Sequence, residues 1–351
     1  MRPYQDEATV KLQARSAQSP VAVPRPLPQG VDEALATVRG WSDAPFPASG
    51  STIELWELLA TLAVHDLAVA RAVEPHLDAL AILAQADLAA VLGAPVLGRT
   101  WGVFAAEGPG AALTATQSRT GWTLSGIKPW CSLADRLDAA LVTAALPDGE
   151  RQLFAVDLRG PGIELGTEAW VSRGLAEIPS VSITLHEVDA EPVGAPGWYV
   201  ARPGFSWGAM GVAACWYGGA VGLGRSVWAA VSPRADQDLL MMYLGRVDER
   251  LESARRALVL AAEQVDAAAR CDEPDRSVAR LEAKRVRAAV ARACEEVLDV
   301  SAHALGPAPL ALDEDHAKRV VDLQVYVRQH HAERDLASLG RTLAGASEPP
   351  W

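Results

Sequence analysis

The chain has 351 residues, half of them hydrophobic and only 6% aromatic, so its interior is built mainly from Ala, Val and Leu. That length is too great for one simple core and implies two or three packed units. A formal net charge of -12 excludes the basic surface that nucleic acid or an anionic membrane requires of a partner.

The first 29 residues are Pro-rich and polar and predict an irregular lead-in. Met1 to Arg15 has no apolar core of a secretory signal, which points to the cytoplasm. From Val31 to Val91 the chain reads as several helices. Ser51 or Thr52 caps a segment with an acidic first turn, and the helical period continues through His65–Arg71 and Ala79–Leu83. Gly93-Ala94-Pro95 closes this N-terminal helical domain, taken as residues 1–95.

From Trp101 to Val193 short apolar runs alternate with turn residues, the spacing of an antiparallel β-barrel or sandwich over residues 96–200. Gly204 to Gly224 then carries no charge and is rich in glycine, flanked by Arg202 and Arg225. A membrane span would be more consistently large and apolar. Small residues at helical spacing predict instead a buried helix that neighbouring backbones approach closely. Leu239–Arg270 and Asp275–Leu305 repeat apolar residues at helical intervals. Pro307 and Pro309 break the second, and a last helix is expected from Asp313 to Leu343. The fold class is therefore α+β: N-terminal helices, a central β-domain, and a C-terminal four-helix bundle over 201–351. Its leftover apolar face predicts a homodimer or homotetramer.

Cys131, Cys215, Cys271 and Cys294 are widely spaced and form no CxxC pair, so they read as reduced thiols. No metal site is expected, because no His, Asp or Glu pair recurs at i, i+4 on an apolar face. No G-x-S-x-G elbow is present for nucleophilic chemistry.

The most specific stretch is Gly121-Trp122-Thr123-Leu124-Ser125-Gly126-Ile127-Lys128-Pro129-Trp130-Cys131-Ser132-Leu133-Ala134. It resembles the flavin-side signature of the acyl-CoA dehydrogenase family, G-x-K-x-W-[IVC]-[ST]-x-A after a polar strand. The order of helices, β-domain and helices is that family's too, with shortening in the N-terminal part and near Ser232–Asp238. The resemblance implies FAD as cofactor, with Trp130 along the isoalloxazine and Ser132 bonding the ring near its reactive nitrogen. A flat, mostly apolar ring needs such an aromatic wall and a few polar contacts. The alternative is that Trp122 and Trp130 are core aromatics, with Lys128 on the solvent face.

Several positions depart from the family pattern. Its T-E-P-x-A-G-S-D segment corresponds to Ala105–Leu113, where Glu107 and Gly110 fit but Ala106 and Ala112 replace two hydroxyl residues. Backbone N–H groups of a Gly-rich turn can still cradle a phosphate, while each lost hydroxyl bond removes roughly 1 kcal/mol. The R-x-x-F-G-x-P segment, which meets FAD across the dimer, has no match near Arg234. The Q-x-x-G-G pattern becomes His303-Ala304-Leu305-Gly306-Pro307, where His303 serves either a phosphate or adenine edge or its own helix end.

The family's catalytic glutamate aligns with Gln329, which cannot accept a proton. His330, His331 and Glu333 are the candidates beside it. Flavin monooxygenases of this fold often use a histidine in this region. The same polar run also suits a solvated or inter-subunit helix face. Of the remaining histidines, His65 fits either the flavin cavity or its own helix, and His76, His186 and His316 read as surface residues. Three readings follow. The first is an FAD-dependent acyl-CoA dehydrogenase-like oxidoreductase, acting on an acyl-thioester or related small molecule without the usual glutamate. The second is a flavin monooxygenase using a C-terminal histidine, and the third a non-catalytic binding or assembly subunit.

Overall fold

The computed structural model describes residues 9–12, 26–41, 47–87, 96, 98–119, 121–271 and 275–351. Most of the Pro-rich lead-in and the Gly93-Ala94-Pro95 turn lie outside them.

Helix α1 (Val31–Val38) is followed by α2 (Thr52–His65) and α3 (Leu67–Gln85). Asp66 alone separates the last two: its backbone is extended, and its Oδ1 accepts the Ala68 N–H at 2.7 Å as an N-cap. The strands are β1 (Trp101–Phe104), β2 (Leu113–Gln117), β3 (Trp122–Ser132), β4 (Ala139–Ala145), β5 (Arg151–Asp157), β6 (Ile163–Leu165) and β7 (Ser180–Val193). They close a circuit β4–β2–β3–β7–β5 and back to β4, with β1 beside β4 and β6 beside β7.

The barrel is not purely antiparallel as expected. Strands β1 and β2 both pair with β4 in parallel, the latter through Thr114↔Ala145. The long connection from β1 to β4, which contains the β2–β3 hairpin, is what a parallel pairing needs. Alternation along β4 divides the two cores. Ala140, Val142 and Ala144 pack into the main core with Leu124 and Phe154. Ala139 and Leu141 face a second cluster with Ile82 and Leu83 of α3.

After the barrel come a short α4 (Trp198–Ala201), then α5 (Pro203–Val231), α6 (Asp238–Ala268) and α7 (Arg276–Leu305). The Gly-rich α5 is a buried helix, and among the described residues no helix is long and apolar enough to cross a membrane. It packs against α2, α6 and α7. A Cβ added at Gly218 would lie 2.2 Å from the Ala60 carbonyl oxygen, so only glycine permits this approach of backbone to backbone.

The chain ends with α8 (Ala308–Leu312), α9 (Glu314–Tyr326) and α10 (Glu333–Ala344). The single helix expected from Asp313 to Leu343 is thus broken. A 3-10 turn occupies Val327–Gln329, His330 is extended and Ala332 has φ 43°. Side-chain bonds hold the break open: Arg287 donates to the Gln329 carbonyl at 2.9 Å, and Asp335 accepts the His331 N–H at 3.0 Å. Two histidines read as surface residues are buried. The Nδ1 of His76 accepts the Trp101 N–H at 3.2 Å, and His316 packs beside the Asp313 cap of α9. His186 is exposed.

Candidate functional site

Strand β3 carries the signature and bends where it matters. Between Lys128 and Cys131 its register on β7 shifts by one residue, and Trp130 adopts φ 59°. This bulge turns Lys128 and Cys131 inward and leaves Trp130 58% exposed. The loop between β1 and β2 runs beside it, where a Cβ on Gly108 would lie 3.1 Å from Pro129 Cγ and 3.9 Å from Trp130 Nε1.

That loop is anchored from within the barrel. Lys128 is only 2% exposed, contrary to a solvent-facing lysine. Its Nζ donates to the Thr143 carbonyl at 3.0 Å, to Thr143 Oγ1 at 2.8 Å and to Glu107 Oε1 at 3.3 Å. Burial lowers the lysine pKa, against the pull of Glu107. Arg151 also pairs with Glu107, so this carboxylate is committed to holding the loop. Ala106 and Gly110 are exposed along it, and Gly110 turns the chain with φ 74°.

At the end of β3, Ser132 Oγ lies 2.7 Å from Ser180 Oγ and accepts from Arg71 Nη2 of α3 at 3.1 Å. Arg71, Pro75, Gly102, Phe104, Ser132 and Leu137 line a small cleft, far below the size of a usual ligand pocket, so a ligand covering Trp130 must extend well beyond it.

Behind the cleft lies a row of charged and aromatic groups between α3, α5, α7 and α9. The Arg71 guanidinium sits 5.9 Å from the centre of the Tyr326 ring, which meets Trp216 edge-on at 6.4 Å. Arg287 stacks 4.6 Å over Trp216 and donates to the Ala209 carbonyl at 2.7 Å and the Gln329 carbonyl at 2.9 Å. Glu74 lies within this row, 8% exposed. Burial pushes its carboxyl up to about 8, helped by Asp78 and opposed by Arg71 and Arg287. Asp78 is raised by burial too, against Arg202.

Of the C-terminal candidates, the structure brings only His330 to this row. It is buried, which lowers its pKa, and its Nε2 has no hydrogen bond among the described residues, lying 4.0 Å from Asp335 Oδ2. His331 is exposed with Nδ1 3.5 Å from Asp335, and Glu333 is exposed at the start of α10. His303 and Gly306 stand at the C-terminal end of α7 and do not join Trp130 within one chain. His303 approaches Asp299 at 3.9 Å, and Gly306 ends the helix with φ 67°. His65 bonds the Pro28 carbonyl at 3.0 Å. No cluster of three or more His, Cys, Asp or Glu suited to a metal exists among the described residues.

Arg71, Glu74, Asp78, Arg287 and Tyr326 were not singled out by the sequence reading. The available signal was the spacing of Arg71, Glu74 and Asp78, which puts three charges on one face of an otherwise apolar helix.

No model of a known protein family matches the chain, and no curated protein sequence does. Solved structures do match. Butyryl-CoA dehydrogenase from Megasphaera elsdenii superposes with a TM-score of 0.75 at 17% identity, covering 90% of this chain and 89% of that one. KijD3 in complex with FMN and a dTDP-linked amino-keto sugar gives 0.74 at 18% identity, over 90% and 83% of the two chains. The dibenzothiophene monooxygenase TdsC from Paenibacillus sp. gives 0.71 at 17% identity, over 82% of each chain. Identities this low speak for architecture, and the architecture is plain: the chain has the acyl-CoA dehydrogenase fold.

Proposed function

We propose that the protein is a flavin-dependent oxidoreductase whose flavin ring lies on Trp130, with its polar edge at Ser132 and Arg71. The observation that carries this reading is the bulge in β3, which holds a large aromatic face out of the barrel beside the loop that Gly108 brings close to Pro129. An exposed indole wall, a hydroxyl and a guanidinium at one end form the donor set that a flat ring with one polar edge requires. Bound flavin would supply two-electron transfer with a small-molecule or acyl-thioester substrate. The chain's own part is to orient the ring, to hold the loop over Trp130 through Lys128 and Glu107, and to manage protons.

Resemblance favours FAD. FMN is bound in the KijD3 and TdsC structures, however, and Ala106 and Ala112 offer no hydroxyl to a pyrophosphate. A buried His330 beside Arg287, its Nε2 without a hydrogen bond among the described residues, supports the second reading, a monooxygenase in which reduced flavin meets oxygen and an imidazole handles protons. Assembly into a homo-oligomer belongs to the same proposal.

Titrating purified protein with FAD and with FMN, read by flavin fluorescence and absorption, tests the reading. One flavin should bind, and Trp130→Ala should weaken it roughly tenfold, since an aromatic stack contributes ~0.5–1.5 kcal/mol beyond its buried area. Retention of flavin with an unchanged spectrum in that variant would remove the site assignment. Protein that binds neither flavin would leave the non-catalytic reading.

A further inference from the structure

Glu74 lies near both Arg71, at the polar edge of the proposed site, and Arg287, beside His330. Helix α3 places it one turn beyond Arg71, on the same face. Its charged neighbours are Arg71 and Asp78 on its own helix and Arg287 on α7. Tyr199 of α4, Cys215 of α5 and Tyr326 of α9 also feel its charge.

Both guanidiniums are bonded elsewhere. Arg71 donates to Ser132 Oγ at 3.1 Å, and Arg287 to the carbonyls of Ala209 and Gln329 at 2.7 and 2.9 Å. Among the described residues, the Glu74 carboxyl receives no hydrogen bond. A buried carboxyl so placed is disfavoured as an anion and stable as an acid. Once ionised, its nearest remedy is to recruit a guanidinium, and Arg71 is the one that shares its helix face.

We propose that Glu74 is a positioning residue for the flavin site, one whose protonation decides where Arg71 points. As a neutral acid it leaves Arg71 on Ser132, at the polar edge of the ring. On ionising it draws Arg71 back along α3 and adds a negative charge behind it. The inference rests on the flavin reading above. It gives the site a titratable carboxyl on α3, where position 329, aligned with the family's glutamate, carries an amide.

A fixed positive charge at the ring favours the reduced cofactor, which carries more negative charge. The flavin potential should therefore fall more steeply with rising pH while Glu74 titrates. The flavin-loaded protein tests this by spectroelectrochemistry across neutral and mildly alkaline pH, with Glu74→Gln, Glu74→Asp and wild type side by side. Infrared spectra of the flavin-free protein at neutral pH give a second readout, the carbonyl stretch of a protonated carboxylic acid.

In wild type, the preference for reduced over oxidised flavin should drop about tenfold beyond the drop in Glu74→Gln, a difference of about 1.4 kcal/mol. The wild type minus Glu74→Gln difference spectrum should show one carbonyl band, since any contribution of Asp78 is common to both proteins. Glu74→Asp keeps an ionisable group and should keep the extra slope, which serves as the test if the glutamine variant does not fold. Parallel potential curves in flavin-loaded wild type and variant, or an infrared band unchanged in Glu74→Gln, would overturn the role of Glu74 and leave the flavin reading standing. Protein that binds no flavin would overturn that reading instead, and this inference with it.

Discussion

The burial of His76 makes the fold sensitive to mild acid, by an amount the structure allows to be worked out. The imidazole is 2% exposed, and its Nδ1 accepts the Trp101 N–H at 3.2 Å, so the ring is neutral with its proton on Nε2. Burial lowers its pKa from 6.5 to about 4, against a smaller opposing contribution from the Val38 backbone. The unfolded chain therefore takes up this proton at a higher pH than the folded one. The stabilisation is complete above pH 6.5 and is lost as the pH falls from there to about 4. At about 1.4 kcal/mol per tenfold difference, the loss is about 3 kcal/mol. His76→Asn keeps an acceptor for the Trp101 N–H and removes the titration. Urea unfolding of both proteins, followed by tryptophan fluorescence, isolates the effect because the carboxylates are common to both. Wild type should lose about 3 kcal/mol relative to the variant between neutral pH and pH 4. Parallel stability curves would refute the reasoning.

Two further outcomes are expected. Gly218→Ala places a methyl group 2.2 Å from the Ala60 carbonyl, where neither backbone can yield, and should destabilise the fold by at least ~1–3 kcal/mol in thermal melts. An unchanged melting temperature would contradict the packing of α2 on α5. If His330 handles protons in turnover, the acid limb of the rate profile should lie below the ordinary imidazole value of 6.5, because burial lowers this pKa. His330→Gln should abolish that limb and His331→Gln keep it. A limb that survives the first substitution would assign it to another group.

Much of this was legible in the sequence because it depends on local pattern. The helical period of α2, α3, α6 and α7, the short strands of the barrel, and the burial of a glycine-rich α5 all follow from neighbouring residues. The signature around Trp130 could be read too, but not its exposure. That depends on a bulge with a positive φ at a non-glycine residue, which no composition marks. Lys128 was open to a solvent-facing reading because its partners, Thr143 and Glu107, come from other parts of the barrel domain. The break before α10 is written partly on α7, in Arg287, and partly in Asp335. The row from Arg71 to Asp78 was visible as spacing but not as burial. Charged residues are rarely enclosed, and it takes the folded chain to show them covered by helices from the other end of the sequence.

The meeting of Ala60 with Gly218 also sets a timetable for synthesis. Helices α2 and α3 are buried over most of their length, yet α5, which covers much of that surface, leaves the ribosome only after the whole barrel has been made. At the ~5–20 residues per second of translation, their apolar faces wait on the order of ten seconds for a partner. Contacts so distant in sequence also form slowly once both sides exist. A nascent chain that ends before α5 therefore lacks the helix that covers much of its early apolar surface.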